Sequence, residues 1–466
     1  MRSATIPIGV LVVAFAAIPV LALAAEGATP GFNPVPAATG RVTPYVAPPD
    51  VYVPDSSKAG GAMEAHTTYV VRNPNPGSSV QSLSDLAFPA PEANPSPQVN
   101  MPEYPASLAC LYKIGAAPYP GCVPTNNAAF NAAGGGMRAI GIVDAFNAPT
   151  VIADATFFSS YFGLPVPKIA RIFANGNGSC VVPVRNAGWE LETALDVQWA
   201  HAMAPNAAII MVHACSNSYA DLMYAELIAA QKVAAYGGGI VSNSWGGGEW
   251  PTEATDYDDH FRVYWQRTLY IASSGDGGGT VPPATGVLWP SASPWVIAAG
   301  GTTINRDAAT GNFLSESCWA GAGGGISQYE LWSETFATGN GVETNYQYPL
   351  FGRTNRATPD IAADADPASG AWVYYNGAWQ VVGGTSLAAP LLAGILSTSN
   401  NRLGQAPTNG GFYSPMEHHL LYSQLSTYLD YSRNFYDVTT GSNGNAAGAG
   451  WDYCTGIGSP RGKLGK

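Results

Sequence analysis

The chain has few charged side chains, and basic ones are the scarcer kind. Charged residues make up 11% of its 466 residues, whereas an average soluble protein has roughly 25%. The 20 Lys and Arg against 32 Asp and Glu give a net charge of −12. Because no block of basic residues offers a surface for phosphate groups, we expect no nucleic-acid partner. A surface poor in charge also suits an acidic medium, in which carboxylates are neutralised.

Long apolar runs are equally scarce. The one such run extends from Ile6 to about Leu23, follows Arg2 and ends in small residues. This pattern predicts a secretory signal peptide over residues 1–24 that is removed, and a single membrane anchor is the alternative. No later stretch reaches the ~18 apolar residues that span a bilayer. We therefore expect a secreted protein, extracellular or periplasmic, that has no membrane contact in its mature form and is a monomer.

Metal-binding cysteine patterns are also missing. The six cysteines form no Cys-x-x-Cys pair and have no nearby His that would complete a zinc site. In an exported chain we expect them to be oxidised to three disulfides. Six cysteines allow fifteen pairings, and the one we favour starts from the nearest pair: Cys110–Cys122, Cys180–Cys215 and Cys318–Cys454.

The amino-acid composition and the hydrophobic pattern change along the chain. Residues 25–103 are rich in Pro, Ala, Gly and Ser, which predicts an extended, partly ordered tether that is short and open to removal. Residues 104–466 read as one domain in which buried strands alternate with helices, a pattern typical of an α/β fold with a mostly parallel sheet. The strand candidates are Met137–Val143, Ala208–His213, Gly239–Ser242, Thr268–Ala272 and Trp295–Ala299, and the helix candidates include Pro149–Phe162 and Ala220–Ala235.

A candidate nucleophile lies at the start of a predicted helix. The string Gly383–Pro390 leads into the apolar stretch Leu391–Leu396, which places Ser386 at or near a helix N-terminus. Unpaired backbone N–H groups and the helix dipole there favour a developing oxyanion, so that Ser386 can act as a nucleophile. The alternative is a residue that simply caps the helix.

A serine nucleophile needs a base, and the His-Gly-Thr-His string of subtilisin-like enzymes is absent. Most of the six histidines read as surface or core-edge residues. In acid a carboxylate can replace histidine, because an imidazole is then protonated. Glu192 and Asp196 lie four residues apart on one predicted helix, where two carboxyls can share a proton. The alternative is a solvated acidic face, and Glu190 fits that description.

A third acid follows a predicted strand. Asp276 stands in a glycine-rich turn after Thr268–Ala272, and sites are common at such sheet ends. A turn-forming aspartate is the alternative. In an apolar setting a protonated Asp276 could instead donate a hydrogen bond to an oxyanion.

Taken together, these strings resemble the sedolisin family of serine-carboxyl peptidases over about Pro105 to Pro460. The resemblance implies a subtilisin-like three-layer fold, with helices on both faces of the sheet, and polypeptide substrates cleaved in acid. It implies that Ser386 is the nucleophile, Glu192 its general base, Asp196 the acid that orients Glu192, and Asp276 the oxyanion-hole acid. Asn243–Gly246 resembles the strand beside which the substrate extends, and Pro359–Asp360 with Ala365–Pro367 resembles the stretch before the nucleophile.

The family resemblance also implies one structural calcium ion, for which oxygen ligands are suited. The ligands would be two side chains and three main-chain carbonyls: Asp437, Asp452, Val438, Gly448 and Gly450.

Two departures from the family pattern stand out. The family usually has a long folded prosegment, for which residues 25–103 are short and irregular, and Gly277 replaces a frequent Ser after Asp276. Two alternative functions remain at this point. One is a secreted peptide or glycan binder built on a peptidase scaffold, and the other is a subtilisin-like protease with a histidine base.

Overall fold

The structure is a computed structural model that describes residues 45–59, 61, 63–114, 121–127, 138–175, 180–264, 267–280, 287–331, 347, 355–398, 412–426 and 428–462. Its strands are β1 (Val51–Tyr52), β2 (His66–Thr67), β3 (Val70–Arg72), β4 (Ala139–Ala145), β5 (Lys168–Phe173), β6 (Ala208–Ala214), β7 (Gly239–Asn243), β8 (Trp245–Gly248), β9 (Arg267–Ser273), β10 (Leu288–Trp289), β11 (Ile297–Arg306), β12 (Phe313–Cys318), β13 (Gly325–Leu331), β14 (Asn355–Thr358), β15 (Ile361–Asp364), β16 (Ala371–Tyr375), β17 (Ala378–Gly383), β18 (Phe412–Tyr413), β19 (Phe435–Tyr436) and β20 (Ser459–Pro460). Its α-helices are α1 (Pro105–Leu108), α2 (Val151–Tyr161), α3 (Ala187–Met203), α4 (Tyr219–Ala235), α5 (Glu253–Asp256), α6 (Asp258–Val263), α7 (Thr385–Ser397), α8 (Ser414–Ser423) and α9 (Tyr428–Asn434).

A large sheet forms the centre of the molecule. Its strand order is β12-β11-β9-β7-β4-β6-β5, with β15 paired to β11 and β18 paired to β9. Every neighbouring pair is parallel except β11 with β12. The predicted α/β class with a mostly parallel sheet is confirmed.

Helices cover both faces of this sheet because its strands are apolar on both sides. In β6, Ile209 and Met211 lie in one hydrophobic core with α3 and α7. The intervening Ile210 and Val212 lie in a second core with α4. Since successive strand side chains point to opposite faces, this division shows the three layers that the sequence predicts.

The predicted strands and helices all occur among the described residues, with shifted ends. The helix predicted at Pro149–Phe162 is α2, Val151–Tyr161, and the strand predicted at Gly239–Ser242 is β7, one residue longer. The largest difference is β11, which runs from Ile297 to Arg306 rather than from Trp295 to Ala299. Its second half pairs with β12 and β15, so tertiary pairing extends it beyond its apolar run.

The segment interpreted as a tether packs against the domain from residue 45 onward. Strand β2 pairs with β8, and β3 pairs with β17 in a four-stranded sheet. Ala65 and Tyr69 are fully buried. The description as an extended tether is therefore wrong for this part, because long-range strand pairing orders it, whereas its removal stays a prediction. The predicted signal peptide, residues 1–24, lies outside the described residues.

Three disulfides join the six cysteines as predicted. Cys110 pairs with Cys122, Cys180 with Cys215, and Cys318 with Cys454. Within the described ranges, none of the helices has the length and apolar character needed to cross a membrane.

Candidate active site

Helix α7 carries the candidate nucleophile at its second residue. The helix begins at Thr385, directly after Gly384. The φ of Gly384 is 103°, a backbone conformation that glycine adopts readily and that is strained for other residues. Ser386 is therefore inside the helix and is not its cap. Its Oγ donates a hydrogen bond of 3.0 Å to Glu192 Oε2. Both side chains are fully buried.

Helix α3 brings the two predicted acids to this serine. Asn186 caps the helix by accepting from the backbone N–H groups of Gly188 and Trp189. Glu192 and Asp196 follow on the side that packs against α7. Ser244 Oγ donates to Asp196 Oδ1 at 2.7 Å and also lies 3.3 Å from the carbonyl oxygen of Ser386.

The alternative of a solvated acidic face is wrong for all three acids of α3. Glu192 and Asp196 have no exposed surface. Glu190 is 2% exposed and forms an ion pair of 2.6 Å with Arg185, while Tyr375 donates to it at 3.0 Å. Helix α3 is buried on nearly all sides. Its other faces are rich in alanine, and alanine does not distinguish a buried helix face from an exposed one, so the sequence pattern did not indicate this burial.

A fourth carboxyl joins this group. Asp144 lies near the carboxyl end of β4 and is fully buried. Burial raises its pKa to about 7. Burial also raises the pKa of Glu192, and the charges of Asp196 and Asp144 add to the effect. The pKa of Asp196 is raised by its own burial and by Asp144. Asp144, Glu192 and Asp196 therefore share protons and lose them at a higher pH than solvent-exposed carboxyl groups do.

Asp144 was missed in the sequence, although a signal existed. An aspartate near the carboxyl end of a buried parallel strand lies at the sheet edge where sites are common. The apolar run of β4 indicated only a buried core strand.

Asp276 lies beside the start of α7. Its Oδ1 accepts hydrogen bonds from the backbone N–H of Thr385 at 2.8 Å and from the Thr385 hydroxyl at 2.9 Å. Its buried Oδ2 has no hydrogen-bond partner among the described residues. Burial raises the pKa of Asp276 to about 8. A protonated Oδ2 can therefore donate to a third group at this point.

A further residue at the site is Thr68, which no pattern in the sequence indicated. Its backbone N–H donates to Ser386 Oγ at 3.2 Å, and its carbonyl oxygen accepts from the Ser386 backbone N–H at 2.8 Å. The contact joins residues 318 positions apart, so no local pattern could reveal it.

The described histidine side chains serve elsewhere. His201 and His213 are fully buried and bond to the carbonyl oxygens of Pro165 and Phe146, which corrects the expectation of surface or core-edge positions. His418 is also buried and lies 3.1 Å from Asp360. Among the side chains that the structure describes, no histidine hydrogen-bonds to Ser386. The side chain of His419 lies outside them.

Two further strings named by the resemblance lie in the described part of the chain. Asn243 ends β7, and Trp245–Gly248 forms β8, whose partner is the strand β2 that leads to Thr68. Asp360, before β15, is buried and forms an ion pair with Arg356. Asp360 therefore makes a structural contact, and none of its described hydrogen bonds is to Ser386.

The candidate calcium loop brings its carboxylates and glycines together. Asp437 Oδ1 accepts from the Gly450 backbone N–H at 3.0 Å, and Asp452 Oδ2 accepts from that of Gly448 at 3.0 Å. Val438 is buried beside Asp437. Carboxylate and carbonyl oxygens in one loop are the donor chemistry that calcium prefers. The donor types are therefore those that calcium prefers, although no cluster of three or more acidic, His or Cys ligands exists within the described ranges.

Fold and site together define a subtilisin-like protein in which a buried serine is paired with carboxyl groups. Residues 170–417 match the model of the subtilase family. Kumamolisin from Bacillus sp. (strain MN-32) is 31% identical over 340 residues, which are 66% of this chain and 56% of kumamolisin. Sedolisin from Pseudomonas sp. (strain 101) is 36% identical over 214 residues, 42% of this chain and 33% of that protein.

A solved structure agrees with the sequence comparisons. The structure of Pseudomonas sedolisin, a serine-carboxyl proteinase, in complex with two molecules of pseudo-iodotyrostatin matches with a TM-score of 0.60 and 25% identity, covering 79% of this chain and 96% of that one. The chain belongs to the subtilase family and, within it, to the sedolisin family of serine-carboxyl peptidases. It spans about half or less of the length of the curated relatives named above.

Proposed function

We propose that the protein is a secreted serine-carboxyl endopeptidase that is active in acid. The observation that carries the proposal is the 3.0 Å hydrogen bond from Ser386 Oγ to Glu192 Oε2. In a buried site with no described histidine at the serine, Glu192 is the group placed to accept the hydroxyl proton.

The reaction follows from this contact. Ser386 Oγ attacks the carbonyl carbon of a peptide bond while its proton passes to Glu192. The resulting tetrahedral intermediate collapses to an acyl-enzyme, and the proton moves from Glu192 to the leaving amine. Water then attacks the ester by the reverse sequence and frees Ser386. Asp196 influences the pKa of Glu192 through its negative charge or a shared proton. It acts through Glu192 and is therefore a positioning residue.

Two donors are placed for the oxyanion of the intermediate. One is the backbone N–H of Ser386 at the start of α7. The other is Asp276, whose pKa of about 8 keeps it protonated in acid and whose Oδ2 has no partner within the described part of the chain. Donors fixed in advance around a developing charge account for a large share of catalysis in acyl transfer.

Acid activity and secretion are supported by independent features. Asp276 is protonated at low pH, and this is the state in which it can donate to an oxyanion. Three disulfides suit an oxidising compartment. Endopeptidase action is supported because an extended chain can continue past Ser386 in both directions. The chain's own residues 66–72 do so, since β2 pairs with β8 before Thr68 and β3 pairs with β17 after Tyr69.

We also propose that Asp437, Val438, Gly448, Gly450 and Asp452 hold one structural calcium ion. A bound ion would hold the loop before β20 in place and stabilise the fold by linkage. A calcium chelator should lower the Tm, and added calcium should restore it. Asp437→Asn should abolish this response, whereas Asp307→Asn, next to the exposed turn of residues 308–310, should retain it. An unchanged Tm with chelator would contradict the calcium proposal.

The test of the function is cleavage of a denatured protein at about pH 4. The wild type should cleave it, and Ser386→Ala should lose at least about 10³-fold in kcat/KM. Ser397→Ala, which alters a buried serine at the end of the same helix, is the matched control and should keep its activity. No cleavage by the wild type after a long incubation would instead favour a non-catalytic binder.

A further inference from the structure

Two glutamates lie at the end of β8, the strand beside which an extended chain lies at this site. Strand β8 pairs with β2 on one side and with β10 on the other. Glu249 follows its last residue, Gly248, and Glu253 is the first residue of α5. Glu253 is fully buried. The chemistry proposed for Ser386 uses neither of these carboxyl groups.

The Glu249 carboxyl group ties the end of β8 to two other strands. Its Oε2 accepts from the backbone N–H of Val287, just before β10, at 3.1 Å and from that of Gln328, on β13, at 3.0 Å. Its Oε1 accepts from the hydroxyl of Ser327. This hydroxyl oxygen already accepts from two backbone N–H groups of β13, so its proton is available for Glu249. Both oxygens of Glu249 therefore act as acceptors, as those of an ionised carboxylate do.

Glu253 is placed to donate a proton to this carboxylate. Its Oε2 accepts from the backbone N–H of Trp250 at 2.8 Å. No donor within the described part of the chain reaches its buried Oε1, and its side chain is in hydrogen-bond contact with that of Glu249. Two carboxyl groups can make such a contact only through a shared proton. Because the oxygens of Glu249 already accept from three donors, the proton belongs on Glu253.

The surroundings of Glu253 favour its neutral form. The titratable groups that face it are Glu249, Tyr219 on α4 and Asp258 on α6. Glu330 is buried on β13, which also packs against α5. None of these four side chains can carry a positive charge. Burial, followed by the charge of Glu249, raises the pKa of Glu253 to about 9. The pair therefore retains one proton throughout the acidic range.

The strands that Glu249 ties together border the space beside the catalytic groups. Leu288, next to Val287, is wedged between two glycines. A Cβ on Gly246 of β8 would lie 3.0 Å from Leu288 Cβ, and a Cβ on Gly275 would lie 2.8 Å from Leu288 Cδ1. Leu288, Gly275 and Asp276 line one cavity of about 420 Å³. A shift of β10 against β8 would therefore change the shape of the space in which a substrate lies.

We propose that Glu249 and Glu253 are positioning residues, a carboxylate and a carboxylic acid whose shared proton fixes β8 and β10 for substrate binding. The inference rests on the proposed peptidase function. The described contacts of the pair include neither Ser386 nor Asp276, so its loss should weaken substrate binding and spare the chemical step. When the shared proton is lost at high pH, the two negative charges repel each other and the tie to β10 and β13 loosens.

The two amide variants should differ, because the two carboxyl groups have different roles. In Glu253→Gln the amide oxygen can accept from Trp250 while the NH₂ group donates to Glu249. In Glu249→Gln the NH₂ group would meet groups that are themselves donors, and at least one of them would lose its acceptor. At about pH 4 the KM of Glu253→Gln should stay within about twofold of the wild type, whereas that of Glu249→Gln should rise at least about fivefold. The kcat of both should stay within about threefold.

The experiment measures kcat and KM of the full enzyme from about pH 4 to 9. The substrate is an internally quenched peptide, copied from a site that the wild type cleaves in a denatured protein. The KM of the wild type should rise above about pH 8, whereas that of Glu253→Gln should stay level because its amide does not titrate.

Glu226→Gln is the matched control, since it replaces another buried carboxyl group, on α4, whose described hydrogen bond is to Asn243 of β7. Its KM should follow that of the wild type. The Tm of every variant reports whether it folds. Because Glu249→Gln could fail to fold, the comparison of the wild type with Glu253→Gln stands without it.

Each contrary result has a distinct meaning. Equal KM values for folded Glu249→Gln and Glu253→Gln at pH 4 would refute the unequal roles of the two carboxyl groups. A KM of Glu253→Gln that rises with pH as in the wild type, or a level KM in both, would refute the shared proton. A loss confined to kcat would refute a role in substrate binding. In all these cases cleavage by the wild type leaves the proposed function standing, whereas no cleavage by the wild type would overturn that function and the inference with it.

Discussion

Gly384 and Asp276 approach so closely that a single methyl group would fill the space between them. A Cβ on Gly384 would lie 2.5 Å from Asp276 Oδ2, and the φ of Gly384 is 103°. Glycine at this position thus allows Asp276, the start of α7 and the backbone of Thr68 to meet.

Gly384→Ala should therefore be severely destabilised or inactive. The new methyl group would force apart the Asp276 side chain and the backbone of Thr68, in addition to the left-handed backbone strain. Gly377→Ala is the matched control, because its φ is 87° but nothing lies within 4 Å of its Cβ. Strain alone should cost it about 1–2 kcal/mol. Thermal unfolding of both variants checks this, and equal losses would contradict the crowding argument.

Asp276 should act as a hydrogen-bond donor and not as a negative charge. Asp276→Ala should lower kcat by about 10²–10³-fold, because one oxyanion donor is lost. Asp276→Asn keeps a donor that cannot ionise. Since the pKa of Asp276 is about 8, the wild type should lose activity as pH rises towards that value.

The decisive comparison for Asp276 is the alkaline side of the pH profile. Asp276→Asn should retain more of its own maximal rate near pH 8 than the wild type does. Profiles of kcat for the two enzymes give this directly. Equal alkaline decline in the two proteins would assign the decline to another group.

The folded protein should be most stable in acid. Burial raises the pKa of Glu226 from 4.5 to about 8 and that of Asp276 from 3.8 to about 8. A carboxyl group whose folded pKa is raised stabilises the fold below its unfolded pKa, and this contribution is lost as pH rises through the folded value. The Tm at pH 4 should therefore exceed that at pH 8 by at least about 5 °C.

Glu226→Gln isolates one of these groups away from the proposed chemistry. Glu226 is buried on α4, in the layer that packs on the opposite face of the sheet from α3. The substitution should reduce the dependence of Tm on pH while it leaves peptidase activity in place. A Tm that rises from pH 4 to pH 8 in the wild type would contradict the assignment of these pKa values.

Some of the site could be predicted because its signals are local. Ser386 stands in a glycine-rich string before an apolar helix, and Glu192 and Asp196 are spaced to share one face of a helix. Each of these features requires only neighbouring residues. The strands of the sheet were predictable for the same reason, since continuous apolar runs bounded by turn residues are typical of strands buried on both faces.

Other features could not be predicted because they depend on distant partners. Thr68 meets Ser386 through strand pairings of a segment whose composition is typical of a linker. The burial of Glu190 depends on Arg185 and Tyr375, and the extension of β11 depends on β12 and β15.

The central claim is that Glu192 takes the proton of Ser386, and the kcat/KM of Glu192→Gln over about pH 3 to 8 tests it most directly. We predict a loss of at least about 10²-fold at every pH relative to the wild type, whose activity peaks below neutrality. Wild-type activity in Glu192→Gln, or a profile centred near pH 8 that depends on a histidine, would contradict the account.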